Sequence, residues 1–403
     1  MLSNVDLELV EAPSSVKRLL NAWTQVYSSN FQTLAFASDP ELYTKLAEAI
    51  SPEGRANTAA KLSKNMIALQ CDMASIQTNA VYTYMENTIN PAEIRRLSQM
   101  SYKIYTCLIA LYRQGLLGTV SIPAIERSLT KFCSESSSSV PDGLSDGLSD
   151  IERLSSVLEP IVLEFQNAHT QAQTQSDDHQ ALLSWMTTQL NFCNQWIMGK
   201  LTLIEQFLLS PYLKFVEEQI SHPWRQVCVA AARHSADSPV LTLVETMIPL
   251  SEEIAQSTCQ SLVRLLPNHR SRRGGLTNPG VAHSCIRDLK TFQAYLWLCA
   301  LEDNVVSVKD RLSGLCALLP SMEVKWELTE LWTQVLEEEV LRRIEPSQQD
   351  YVLPCTAAMH QIFLNTRMQL DTSYPYSLFK AEQSEPQLTG NVSKESMVTH
   401  PCK

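Results

Sequence analysis

Cys285 and Asp288 lie three residues apart, just inside a stretch opened by Asn278-Pro279. Proline is well tolerated at the first position of a helix. Cys285 is therefore expected in the second turn, where the helix dipole still favours a thiolate. A spacing of three puts thiol and carboxylate on one helix face. That pair suits a covalently held, nitrogen-rich ligand. The thiolate would form a thioether, and the carboxylate would accept charge-assisted hydrogen bonds from ring N–H groups. Arg287 does not share that face and would have to wrap round to meet a ligand carboxylate. Upstream, His269, Arg270, Arg272 and Arg273 form a basic loop that could reach the same carboxylates. The same spacings also fit a small buried cysteine, a solvated aspartate and a solvated loop.

Other chemistry has less to stand on. The eight histidines make no metal-ligand motif with cysteines or carboxylates, and a haem ligand would need a histidine deeper in a helix than His283. There is no GxGxxG, P-loop or GxSxG pattern, so no enzyme activity is expected. The 11 cysteines form no CxxC pair and mostly sit in apolar runs, as around Cys107. Most are expected to be reduced core residues of a cytosolic protein.

The elements that must position these residues read as helices. The chain has 403 residues, 44% of them hydrophobic, and only 11 glycines, few for a β-rich protein of this length. Acidic residues number 43 against 32 basic ones, a net charge of −11. That balance argues against nucleic-acid binding and against attraction to an anionic membrane. No apolar run is long enough for a membrane span, and the acidic N-terminus lacks the features of a signal peptide.

Helical runs are expected at 41–85, 91–112, 151–168, 180–208, 211–232, 236–266, 279–301, 305–319, 323–344 and 348–368, with Pro223 and Pro249 breaking two of them. The Ser/Gly/Asp-rich segment 134–150 reads as a linker, and 371–403 as a disordered tail. The expected organisation is an N-terminal helical domain over 1–133, the linker, connecting helices over 151–200 and a helical domain over 201–370.

The run CIRDLKTFQAYLWLCALEDNVVSVKDRLSGL resembles the central region of phycocyanin and allophycocyanin subunits, the phycobiliprotein family of the cyanobacterial light-harvesting antenna. The shared pattern falls on Cys285, Arg287, Asp288, Tyr295, the Glu302-Asp303 turn and Asp310-Arg311, preceded by the helix IAQSTCQSLVRLLP. It is specific from about Glu252 to Leu315. The chain departs from the family just before the cysteine, where NPGVAHS lacks the usual basic residues.

The resemblance implies an all-α class with a globin-like phycobilisome-type domain in the C-terminal half. It implies a linear tetrapyrrole (a bilin) attached at Cys285, its inner nitrogens bound by Asp288 and a propionate met by Arg287, with Arg272 and Arg273 in reach. The implied partners are phycobilisome subunits or related helical proteins. The implied place is the cytoplasm, at the thylakoid's cytoplasmic face through the antenna. The implied role is photosynthetic light harvesting, and a pigment-free helical adaptor or regulator is the alternative. In the first half, TCLIA at Cys107 resembles the corresponding helix of the α-type subunits, but Glu93 then falls at the cysteine position. The first half reads either as a degenerate copy or as an unrelated helical domain.

Overall fold

Proline and polar caps set most of the helix starts. The structure, a computed structural model, describes residues 13–27, 40–83, 91–114 and 176–373. In the first half α1 (Ser14–Tyr27), α2 (Pro40–Ile50), α3 (Pro52–Lys61), α4 (Lys64–Val81) and α5 (Pro91–Gln114) follow one another. Ser51 and Ser63 cap α3 and α4 by accepting from Gly54 N and Met66 N. The second half begins with α6 (Ser176–Met198), α7 (Leu203–Ser221), α8 (Trp224–Ala231), α9 (Pro239–Met247) and α10 (Ser251–Leu265). It continues with α11 (Pro279–Glu302), α12 (Val306–Leu318), α13 (Trp326–Leu341) and α14 (Gln349–Ser373). The chain is thus all-α, as the periodicity predicts. No helix among the described residues is long and apolar enough to cross a membrane.

Three local expectations are corrected. The run expected over 180–208 divides, because Thr202 and Glu205 form a capping box that starts α7 afresh. Pro211 does not open a helix but lies inside α7. The basic loop contains a short antiparallel hairpin, β1 (Arg270–Ser271) with β2 (Gly274–Gly275), turned at Arg272-Arg273, with Gly274 at φ 117° just after the turn. Pro223 and Pro249 do separate helices as expected, the second through a 3-10 turn at Ile248–Leu250. The linker 134–150, the helix expected at 151–168 and the tail beyond Ser373 lie outside the described residues.

The centre of the second half is α11. Its C-terminal half, Leu289 to Leu301, is buried almost all round, as an apolar helix surrounded by others must be. Helices α8, α10, α12 and α14 pack around it. Phe292 stacks on Phe363 at 5.4 Å and meets Trp332 at 4.4 Å. In the first half, α4 packs between α5 and α6.

The buried residues of both halves belong to one apolar cluster. Trp23 lies 4.2 Å from Trp224, Tyr112 meets Tyr212 edge-on at 5.6 Å, and Arg18 pairs with Glu245. Glu205 accepts from Thr58 Oγ1 at 3.0 Å and from Lys61 Nζ at 2.8 Å. Helix α7 packs on α1, α2 and α5 of the first half as well as on α6, while Leu203 at its start stays exposed.

Candidate functional site

Asn278 builds the start of the site helix. Its side chain accepts from Gly280 N at 2.9 Å and Val281 N at 3.4 Å, and Pro279 occupies the first turn. Cys285 and Asp288 then emerge one helical turn apart, and both line a cleft. The cleft is partly open to solvent and holds a cavity of about 140 Å³.

All six residues singled out from the sequence line this cleft: Cys285, Asp288, Arg287, Arg272, Arg273 and Tyr295. They come from two separate elements, α11 and the hairpin before it. Arg287 turns to its neighbour on the same helix and to α6. Its Nε and Nη2 donate to Asp288 Oδ1 at 2.9 and 2.7 Å, and its Nη1 donates to Thr187 Oγ1 of α6 at 2.9 Å. Burial disfavours the Arg287 charge, but the adjacent Asp288 overcomes this and raises its pKa. Both bonds fall on Oδ1, and Asp288 stays about one-third exposed.

The hairpin forms the basic rim. Arg273 lies across the first turn of α11 and donates to Ser284 Oγ at 3.3 Å, where Gly280 leaves it room. Arg272 pairs with Glu323 at 3.1 Å, and its backbone N–H donates to Met322 O at 2.9 Å. Those contacts tie the hairpin to the turn between α12 and α13.

Sequence reasoning missed part of the wall. Thr329 and Trp332 also line the cleft, as do Tyr82 of the first half and Thr187. These four come from elements far apart in the chain, and no local spacing marks them. His269 of the basic loop and Arg311 of the Asp-Arg pair, both noted in the sequence, line it too, and Arg270 does not. Among residues of this wall, His269 Nε2, Thr329 Oγ1 and Trp332 Nε1 are buried with no hydrogen-bond partner, as are atoms elsewhere in the core such as Trp185 Nε1 and Thr258 Oγ1. Burial raises the Tyr295 pKa against the opposing field of Arg311, and burial lowers that of His269.

Behind Cys285 sits Cys259 of α10. The Cys259 thiol, burial and the Asp288 charge push the Cys285 pKa well above the usual thiol value, against the thiolate expected from its place early in the helix. A thiol pair, Cys71 and Cys193, lies in the core with sulfurs 4.0 Å apart. Among the described residues, no group of three or more His, Cys, Asp or Glu side chains could hold a metal ion. No family model matches the chain, and neither a curated protein nor a solved structure does.

Proposed function

We propose that the cleft binds a linear tetrapyrrole, attached through Cys285, within a globin-like phycobilisome-type domain that serves light harvesting. The observation that carries the reading is the convergence on one cleft of a thiol, a carboxylate and four arginines. A tetrapyrrole is long, flat and largely apolar, with N–H groups in its middle and carboxylates at one edge. The cleft offers matching surfaces. Phe292, Leu315, Leu328 and Trp332 give apolar walls. Arg272 and Arg273 stand at the rim, able to meet carboxylates, and Asp288 Oδ2 takes none of the Arg287 bonds and is placed to accept from ring N–H groups. The group, when bound, supplies visible absorption. This chain's residues would hold it extended, exclude water and set the Asp288 carboxylate beside it.

The test is titration of the purified chain with biliverdin, followed by visible absorbance. Wild type should develop a sharpened red band. Asp288→Asn keeps an acceptor for Arg287 while removing the charge, and should weaken and shift that band. The combined change of Arg272 and Arg273 to Gln should weaken binding at least tenfold. Unchanged spectra and affinity in both variants would reject the reading.

A pigment-free helical adaptor is the second reading, and one observation favours it. Leu69, Met73 and Ile76 form a stripe along α4 at helical spacing and are 55%, 44% and 72% exposed. An exposed apolar stripe of that kind is the usual mark of a protein-binding face. A chain that stays colourless with every linear tetrapyrrole, and whose association behaviour changes with Ile76→Asp, would favour this reading.

A further inference from the structure

Helix α1 precedes the other first-half helices in sequence but packs on the second half. Its main neighbours are α7, α8, α9 and the 3-10 turn at Ile248–Leu250. The first-half layer has its own contacts, α2 on α3, α3 on α5 and α4 on α5. The inward face of α1 is one stripe: Leu19, Ala22 and Trp23 recur at helical spacing and are buried. Trp23 enters an aromatic groove, its ring centroid 4.2 Å from that of Trp224 and 5.6 Å from that of Phe215. At the edge of the groove Arg18 clamps the helix. Its Nε donates to Glu245 Oε2 at 2.9 Å, and its Nη2 donates to the same oxygen and to Thr242 Oγ1 at 3.3 Å. Its Nη1 donates to the Ala236 carbonyl. The clamp lies near the surface, with the two side chains 29% and 30% exposed.

The floor of the groove is not wholly apolar. Glu218, His222 and Lys290 line the small cavity beside Trp23, together with Ile248 and Trp297, and Glu218 pairs with Lys290 there. Burying ions costs hydration, so rewetting this floor offsets part of what is lost when the helix leaves. The 12 residues 28–39 join α1 to α2, and a chain of that length reaches up to roughly 40 Å when extended. That reach lets α1 pass to the groove of a neighbouring molecule while α2 stays in place.

We propose that this groove accepts α1 from a second copy of the chain, so that two copies trade helices and form a closed, two-fold dimer. Every contact across the exchanged interface is one already made within a single chain, so the surfaces match without new complementarity, and the exchange closes on itself. The helix that fits is defined by its residues. Arg18 meets Glu245 at the edge, and Leu19, Ala22 and Trp23 enter the groove. The inference does not depend on the tetrapyrrole reading, because no residue of α1 lines the cleft.

The test uses the full chain in two charge-reversed forms. Arg18→Glu sets the helix against its own Glu245, and Glu245→Arg sets the groove against its own Arg18. Both positions are partly exposed, so neither change reaches the core. Alone, each variant is mismatched within the chain and between its own copies. Mixed, each helix finds an opposite charge only in the groove of the other chain. One variant is grown in heavy-nitrogen medium, equal amounts are mixed, and the solution is read by native mass spectrometry. The expected species is a light–heavy dimer, at least tenfold more abundant than the dimer of either variant alone. Adding Trp23→Ala to both chains should abolish it while circular dichroism stays helical. The double variant Arg18→Glu/Glu245→Arg restores the clamp within one chain and should return the wild-type distribution. A mixed dimer no more abundant than those of the separate variants would overturn the proposal. So would a mixed dimer that survives Trp23→Ala in both chains, because the association would then run through another surface.

Discussion

Asp288 and Arg287 act as one unit. The carboxylate takes two bonds from a guanidinium whose side chain is 12% exposed. Removing the carboxylate therefore strands a mostly buried cation, which costs about 3 kcal/mol. Asp288→Ala should lower stability by that amount in urea denaturation, while Asp288→Asn, which still accepts, should cost less than about 1.5 kcal/mol. Equal losses would mean that Arg287 finds another partner.

A second residue-scale consequence comes from His222. It is buried beside Glu218 and Lys290, and its Nδ1 accepts from Trp224 Nε1 at 3.1 Å. Burial, with Lys290, Arg287 and Lys214 adding to it and Glu218 opposing, lowers its pKa from 6.5 to about 3. A base kept neutral in the fold gains its proton on unfolding, so the stability it confers is complete above about pH 6.5 and is lost as the pH falls toward 3. Glu252, held near 2 by Lys290 and Lys214 despite its burial, adds a loss in the same direction below the ordinary carboxylate range. Urea midpoints should fall steadily from pH 7 to pH 4.5, with a shallower slope above pH 5 in His222→Gln. A midpoint unchanged between pH 7 and 5 would contradict this.

At the scale of elements, the helices were legible because apolar residues recur at helical spacing and the breaks carry proline. Asn278-Pro279, Pro223 and Pro249 all mark real boundaries. The break before Leu203 was missed because its signal is a capping box inside an unbroken apolar run, where periodicity outweighs a single threonine. The site divides the same way. Cys285, Arg287, Asp288 and Tyr295 share one helix and could be read together. Thr187, Thr329 and Trp332 reach the same cleft from α6 and α13, and only the tertiary fold brings them in.

The turn between α2 and α3 was also invisible from sequence. A Cβ on Gly54 would lie 2.0 Å from the Glu48 carbonyl oxygen. Gly54→Ala must therefore move backbone, and should cost more than about 2 kcal/mol. Gly199, where a Cβ would come no closer than 3.4 Å, should accept alanine within about 0.5 kcal/mol. Thermal denaturation of the two variants separates these outcomes, and equal midpoints would contradict the close approach.

At the scale of the molecule, Glu205 joins the halves. It is 7% exposed and bonds to Thr58, to Lys61 and to the backbone N–H of Thr202 at 2.9 Å. Glu205→Ala orphans several donors at once and should cost about 3 kcal/mol. Lys61→Ala, at a side chain 44% exposed, should cost less than about 1 kcal/mol. Because one apolar cluster runs through both halves, wild type should unfold in a single transition, and fluorescence and circular dichroism should give the same midpoint. Two separated transitions would contradict that continuity.

The central claim is that this molecule encloses a cleft whose thiol takes a linear tetrapyrrole. The most direct measurement is the visible spectrum of the chain co-expressed with tetrapyrrole-synthesising and attachment enzymes, recorded after denaturation in acidic urea. The account predicts a band that stays with the polypeptide in wild type and is lost in Cys285→Ala. A colourless wild type, or equal colour in Cys285→Ala, would contradict it.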